Sequence, residues 1–189
     1  MKVLADLTKL NQRFKMIVSG AALTMLFITL SSVGVLAHNP LGGKWVNGSV
    51  IRWYYYGGQL FINNLAEADD YWNAGQGEVL FLHTTNSSWR DIAVKDISDV
   101  DGDYWAYSWN FICSGCTYTS GEIVYNPYWI FGDSLSDGMK TKVSSHELGH
   151  VTGLGHVDSG YSSPAVMKQG YLNYKEPKPH DFDDFNAIY

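Results

Sequence analysis

The apolar positions of the chain change period along its length, and those changes mark out its elements. From Lys44 to Tyr56, Trp, Val, Ile and Tyr dominate, which predicts a first strand. Within it, Trp53-Tyr54-Tyr55-Tyr56 reads as aromatic residues alternating between two sheet faces rather than as a carbohydrate contact. Gly57-Gly58 ends that strand. Phe61, Leu65, Ala68 and Trp72 then recur at helical spacing, predicting a helix over 59–74 that Gly75 and Gly77 close. Glu78 to Thr84, Arg90 to Ile97, Tyr104 to Asn110 and Gly121 to Tyr125 read as four more strands. A helix is expected with Asp137 as its N-cap. A last one is expected over 179–189, where Asp181 to Asp184 put negative charge in the first turn. Strands that cluster ahead of helices indicate an α+β domain, a sheet backed by helices.

The first 37 residues follow a different pattern. Lys2, Lys9, Arg13 and Lys15 make a basic start, Met16 to Leu30 is mostly apolar, and Val35-Leu36-Ala37 offers a small residue for signal peptidase. Residues 1–37 are therefore expected to be a cleaved signal peptide, with 38–189 as the secreted mature domain. An uncleaved anchor is the alternative, because Met16 to Ala37 approaches the roughly 20 residues of a membrane span. Of 13 basic and 19 acidic residues, four and one lie in this segment, which leaves nine against eighteen and a net charge of −9. That balance argues against a nucleic-acid or anionic-membrane partner. The two cysteines, Cys113 and Cys116, stand alone in Cys-Ser-Gly-Cys. In an exported chain the simplest reading is a local disulfide closing a tight turn.

The chemistry concentrates in His146-Glu147-Leu148-Gly149-His150-Val151-Thr152-Gly153-Leu154-Gly155-His156. These residues fill every fixed position of H-E-x-x-H-x-x-G-x-x-H. On a helix, His146 and His150 are one turn apart and project from one face. Glu147 is rotated about 100° from His146, beside a metal rather than on it. Gly153 can take positive φ and return His156 to the same point from outside the helix. Three neutral imidazoles suit Zn²⁺ and leave a fourth position for water, the arrangement of a catalytic site.

This pattern resembles the metzincins, and within them the matrixin-like metalloproteases, over residues 44–189. Ser162-Ser163-Pro164-Ala165-Val166-Met167 looks like the Met-turn, whose methionine lies beneath the zinc histidines. Asp183 to Tyr189 looks like the closing matrixin helix, Gly121 to Tyr125 like the strand before the active-site helix, and Arg90 to Val94 like the earlier A-D-I-x-I strand. Val157 stands where matrixins usually carry Ser or Thr. No tyrosine follows Met167 two positions on, which sets aside astacins and serralysins, and no cysteine-switch motif is present. The resemblance implies a mostly parallel twisted sheet with one antiparallel edge strand, backed by helices.

It also implies a zinc endopeptidase in which Glu147 is the general base. The substrate peptide would lie along an edge strand, best represented by Tyr104 to Asn110, and the specificity-pocket wall would come from around Ala165 to Tyr171. One catalytic zinc is expected, because residues 86–112 hold no histidine for a second, structural one. His83 and His180 are expected to be structural or exposed. Asp99-Val100-Asp101-Gly102-Asp103 offers oxygen ligands for Ca²⁺, yet lacks the spacing of an EF-hand loop and reads first as a solvated turn. A monomer acting on a peptide or protein is expected. A cell-wall peptidase or amidase with the same metal chemistry, or a non-catalytic zinc-containing binding module, remain the alternatives.

Overall fold

The computed structural model describes residues 38–113, 117–158 and 160–189. The expected leader, residues 1–37, and the side chains of the expected Cys113–Cys116 disulfide lie outside the described residues. In chain order the elements are β1 (His38–Pro40), β2 (Ser49–Tyr55), α1 (Ile62–Gly75), β3 (Val79–His83), β4 (Ile92–Asp96), β5 (Ala106–Cys113), β6 (Thr117–Tyr125), α2 (Pro127–Gly132), α3 (Asp137–Val151), β7 (Leu154–Val157) and α4 (Pro179–Ile188). Among the described residues no helix is long and apolar enough to cross a membrane.

Five strands form the main sheet in the order β3-β2-β4-β6-β5. The first four run parallel, and β5 pairs antiparallel with β6 at one edge. This is the expected α+β architecture, including its single antiparallel edge strand. Alternation along the strands sends Ile51, Trp53 and Tyr55 of β2, Ile92 and Val94 of β4, and Ile123 and Tyr125 of β6 into one core, all at 0–1 % exposure. Helix α1 closes that core with Leu65, Ala68 and Trp72, three of the four residues whose spacing predicted it, while Phe61 sits at its N-cap. Tyr54 and Tyr56 lie on the other face of β2 and pack edge to face with ring centroids 4.7 Å apart.

Several expectations shift in detail. Lys44 makes only an isolated bridge to Thr117, and β2 starts at Ser49, because a turn at Asn47-Gly48 breaks the extended run. The N-cap of α3 is Ser136, not Asp137. Ser136 has the extended backbone of a cap, and its Oγ accepts from Met139 N at 3.3 Å. Asp137 instead lies in the first turn, where its charge suits the helix dipole. Helix α2 is too short for apolar periodicity to announce, and starts at a proline, whose missing N–H costs nothing there. The ribbon of β1 with β7 is also additional to the predicted elements.

Residues 160–178 run without regular structure, and α4 fixes their start. Asp181 is fully buried. Its carboxylate accepts from Lys178 N at 2.7 Å, Val166 N at 2.8 Å and Met167 N at 3.4 Å, so one side chain caps α4 and anchors the turn at Met167. Tyr174 holds the same turn, its hydroxyl 3.1 Å from both Ala165 N and Ala165 O. Hydrogen bonds to a charged acceptor contribute about 1.5–3 kcal/mol each, and buried donors left unpaired cost similar amounts. Asp181→Ala is therefore expected to lower unfolding free energy by about 3 kcal/mol in denaturant titration. A loss under about 1 kcal/mol would remove Asp181 from this role.

Candidate metal centre

Helix α3 carries His146 and His150 on one face. It ends at Thr152, and Gly153 follows with φ of 102°. That conformation favours glycine, and a Cβ there would sit 2.6 Å from Gly43 O, so no side chain fits. The turn feeds β7, which brings His156 back beside the helix. His156 Nε2 lies 3.1 Å from His150 Nε2 and 3.2 Å from His146 Nε2. These three histidines are the only metal-ligand group of three or more among the described residues.

The donor set fits a tetrahedral ion. Metal–nitrogen bonds of about 2.0–2.1 Å at tetrahedral angles place neighbouring nitrogens about 3.3 Å apart. The opposite ring nitrogens are anchored on backbone carbonyls, His146 Nδ1 on Val166 O at 3.0 Å and His150 Nδ1 on Leu154 O at 2.7 Å. With Nδ1 protonated and donating, both Nε2 lone pairs face the shared point, the usual outer-shell arrangement of metal-bound histidine. Burial first, then the Lys142 and His150 charges, holds His146 well below the usual histidine range. Burial lowers His156 as well. Both are thus neutral and able to ligate near pH 7.

Glu147 is 4 % exposed, and its Oε2 accepts from Ser108 Oγ at 2.7 Å. Burial pushes its carboxyl up to about 7, against the opposing pull of the Ser108 hydrogen bond and the Lys142 charge. Met167 is buried, and a Cβ on Gly149 would lie 2.2 Å from its Sδ. The methionine therefore packs on the α3 backbone between the two helix histidines. His83 stacks on Trp53 at 4.3 Å and His180 on Tyr161 at 4.3 Å, neither among the triad. Asp99 accepts from Asp101 N, Gly102 N and Tyr104 Oη at 3.0–3.1 Å, so its oxygens are engaged by its own turn.

The histidines open on a cleft of about 550 Å³. One wall is the approach to β5 and its first residues, Asp103 to Ser108, and the other includes Gln169 and Gly170, inside the segment expected to form a pocket wall. Three site residues were not legible in the sequence. Ser108 and Asn110 share the helix-facing side of β5, and Asn110 Nδ2 donates to His150 O and Val151 O at 3.1 Å. Their alternation with Tyr107 and Trp109 is visible in the sequence, but which face meets a helix is not. Lys142, one turn before His146, is 2 % exposed and donates from Nζ to Lys168 O at 2.7 Å. Burial lowers its ammonium to about 8.

The class thus defined is an α+β fold with a histidine triad, two on a helix and one on the strand that follows, beside an antiparallel edge strand. Among solved structures the chain is similar in fold to myroilysin. One myroilysin structure matches with a TM-score of 0.52 and 17% identity over 80% of this chain and 88% of that one. A second gives the same score and identity over 77% and 95%. No family model matches the sequence, and no curated protein matches it.

Two outcomes follow from this geometry. Gly149→Ala forces Met167 from its seat and is expected to cost about 1–3 kcal/mol, an overpacking penalty readable by thermal unfolding. Glu147 has a raised folded-state pKa, so its contribution to stability is complete below about pH 4.5 and lost as pH rises through about 7. In metal-free protein, Glu147→Gln should therefore gain on the parent by about 3 kcal/mol between pH 4.5 and 8. Parallel stability–pH curves for the two proteins would show that Glu147 ionises as an ordinary carboxylate.

Proposed function

We propose that the chain is a secreted zinc-dependent endopeptidase of the metzincin type, closest in its motifs to the matrixins. The observation that carries this reading is the convergence of three imidazoles beside a buried carboxylate, at a cleft walled by an unpaired sheet edge. His146, His150 and His156 would hold the zinc, which when bound supplies Lewis acidity at the scissile carbonyl and a water acidic enough to lose its proton near neutral pH.

The protein's own residues supply the rest. Glu147 takes the proton of the attacking water and passes it to the leaving amine, a role suited to a carboxyl with a pKa near the working pH. Ser108 holds the carboxylate in one orientation as it does so. The substrate backbone extends along β5, whose outer edge has no strand partner among the described residues. Asn110 fixes that strand to the end of α3, so the bound peptide and the base keep one spacing. The pairing mode calls for a peptide or protein substrate and no nucleic acid, with the enzyme acting as a monomer after its leader is removed.

The purified protein, loaded with zinc, is expected to cut internal bonds in an end-blocked peptide library and to lose that activity to a chelator. Glu147→Ala should keep about one zinc per chain while its rate falls at least 10²–10³-fold. Cleavage confined to free chain ends would favour an exopeptidase, and zinc binding without hydrolysis of any peptide would favour a binding module. An active Glu147→Ala protein would sink the assignment of the base.

A further inference from the structure

The cleft contains a charge that peptide-bond hydrolysis does not require. Lys142 lies in its wall, between the metal-binding face of α3 and the segment that follows Met167. The ammonium has three donors, and Lys168 O takes one. No carboxylate forms an ion pair with it among the described residues. The two acids whose charges act on it, Glu147 and Asp181, are engaged elsewhere, Glu147 by Ser108 and Asp181 by the backbone of Val166, Met167 and Lys178. A buried cation with one neutral acceptor is costly unless a counter-charge reaches it. The other acids of the cleft, Asp103 and Asp133, are exposed. Water and salt screen them there, and Trp105 Nε1 donates to Asp133 at 2.6 Å.

We propose that Lys142 makes this cleft select substrates with a carboxylate side chain, glutamate or aspartate, on the residue that enters between α3 and Lys168–Gly170. The incoming carboxylate pairs with the ammonium and uses the donors that the protein leaves unspent. An isosteric carboxamide meets the same shape but brings no charge. This selectivity rests on the peptidase reading for the bond that is cut, while the preference itself belongs to the pocket and shows in binding alone.

Two matched ligand pairs test it on the zinc-loaded protein. One is a non-hydrolysable peptide hydroxamate with Glu or Gln at the pocket residue, measured by calorimetry. The other is the cleavable peptide with the same exchange, measured as kcat/KM. At least a tenfold preference for Glu is expected in both, falling below twofold in Lys142→Met and reversing toward Lys-bearing ligands in Lys142→Glu. A wild-type Glu/Gln ratio under twofold overturns the proposal whether or not either variant folds, as does a ratio that survives in folded Lys142→Met. Hydrolysis without the Glu/Gln gap removes the selectivity and leaves the peptidase reading standing. A gap in hydroxamate binding without hydrolysis of any peptide does the reverse.

Discussion

Helix α3 is buried nearly all round, although much of it is polar, and the fold is organised around satisfying it. From Thr141 to Gly149 every residue is buried, and Thr141, Lys142, Ser144, Ser145, His146 and Glu147 among them carry polar side chains. An amphipathic helix hides one stripe; this one is buried throughout that stretch, so its polar groups need partners from several neighbouring elements. Helix α1 supplies Glu67 to the Thr141 hydroxyl and Trp72 Nε1 to Ser145 O. Strand β6 brings Tyr125 Oη to Ser144 Oγ at 2.7 Å, and β5 brings Ser108 to Glu147. At the C-terminal end Asn110 and Trp45 Nε1 take the carbonyls that no helical N–H can reach. Each of these contacts joins a different part of the chain to the helix that bears the histidines.

This arrangement explains why the three histidines are held together so firmly. The His156 lone pair lies within 3.2 Å of those of His150 and His146, and like lone pairs repel unless a cation sits among them. The imidazoles cannot relax apart freely, because Val166 O and Leu154 O hold two of them by their far nitrogens. Those carbonyls are fixed in turn, Val166 through Asp181 and Leu154 through the β1–β7 ribbon. A chain of ordinary hydrogen bonds thus runs from α4 to the ring of His146. Preorganisation of this kind would lower the cost of binding a metal ion, since little ordering would remain to be done.

What could be read in the sequence, and what could not, follows from the range of the interactions. Helix α1, the order of the five sheet strands' segments and the histidine triad depend on local spacing, and local spacing is written in the chain. The Ser136 cap was missed by one position because Ser and Asp are both good caps and only backbone dihedrals separate them. From the sequence Asp181 is expected only as negative charge in the first turn of the last helix, and its tie from α4 to Val166 and Met167 depends on tertiary packing that spacing does not show. Ser108, Asn110 and Lys142 carry no motif at all. Ser108 and Asn110 act on partners 39 to 41 residues away in sequence and Lys142 on one 26 residues away, and only the packed fold brings them together.

Strand β5 shows how the sheet and the site share one constraint. Because side chains alternate, Ser108 and Asn110 face α3 while Tyr107 and Trp109 face away and stack on each other at 5.1 Å. The inward pair grips the helix at Glu147 and at His150–Val151, one turn apart, which matches the distance between alternate strand residues (about 6.6–6.8 Å) closely enough for both bonds to form. A strand held at two points cannot slide or tilt against the helix. Its outer backbone edge is then held at a fixed position by these two side chains, one of which, Ser108, also orients the Glu147 carboxylate. Strand β5, the one antiparallel member of the sheet, lines with Ala106 to Ser108 the same cleft as the three histidines.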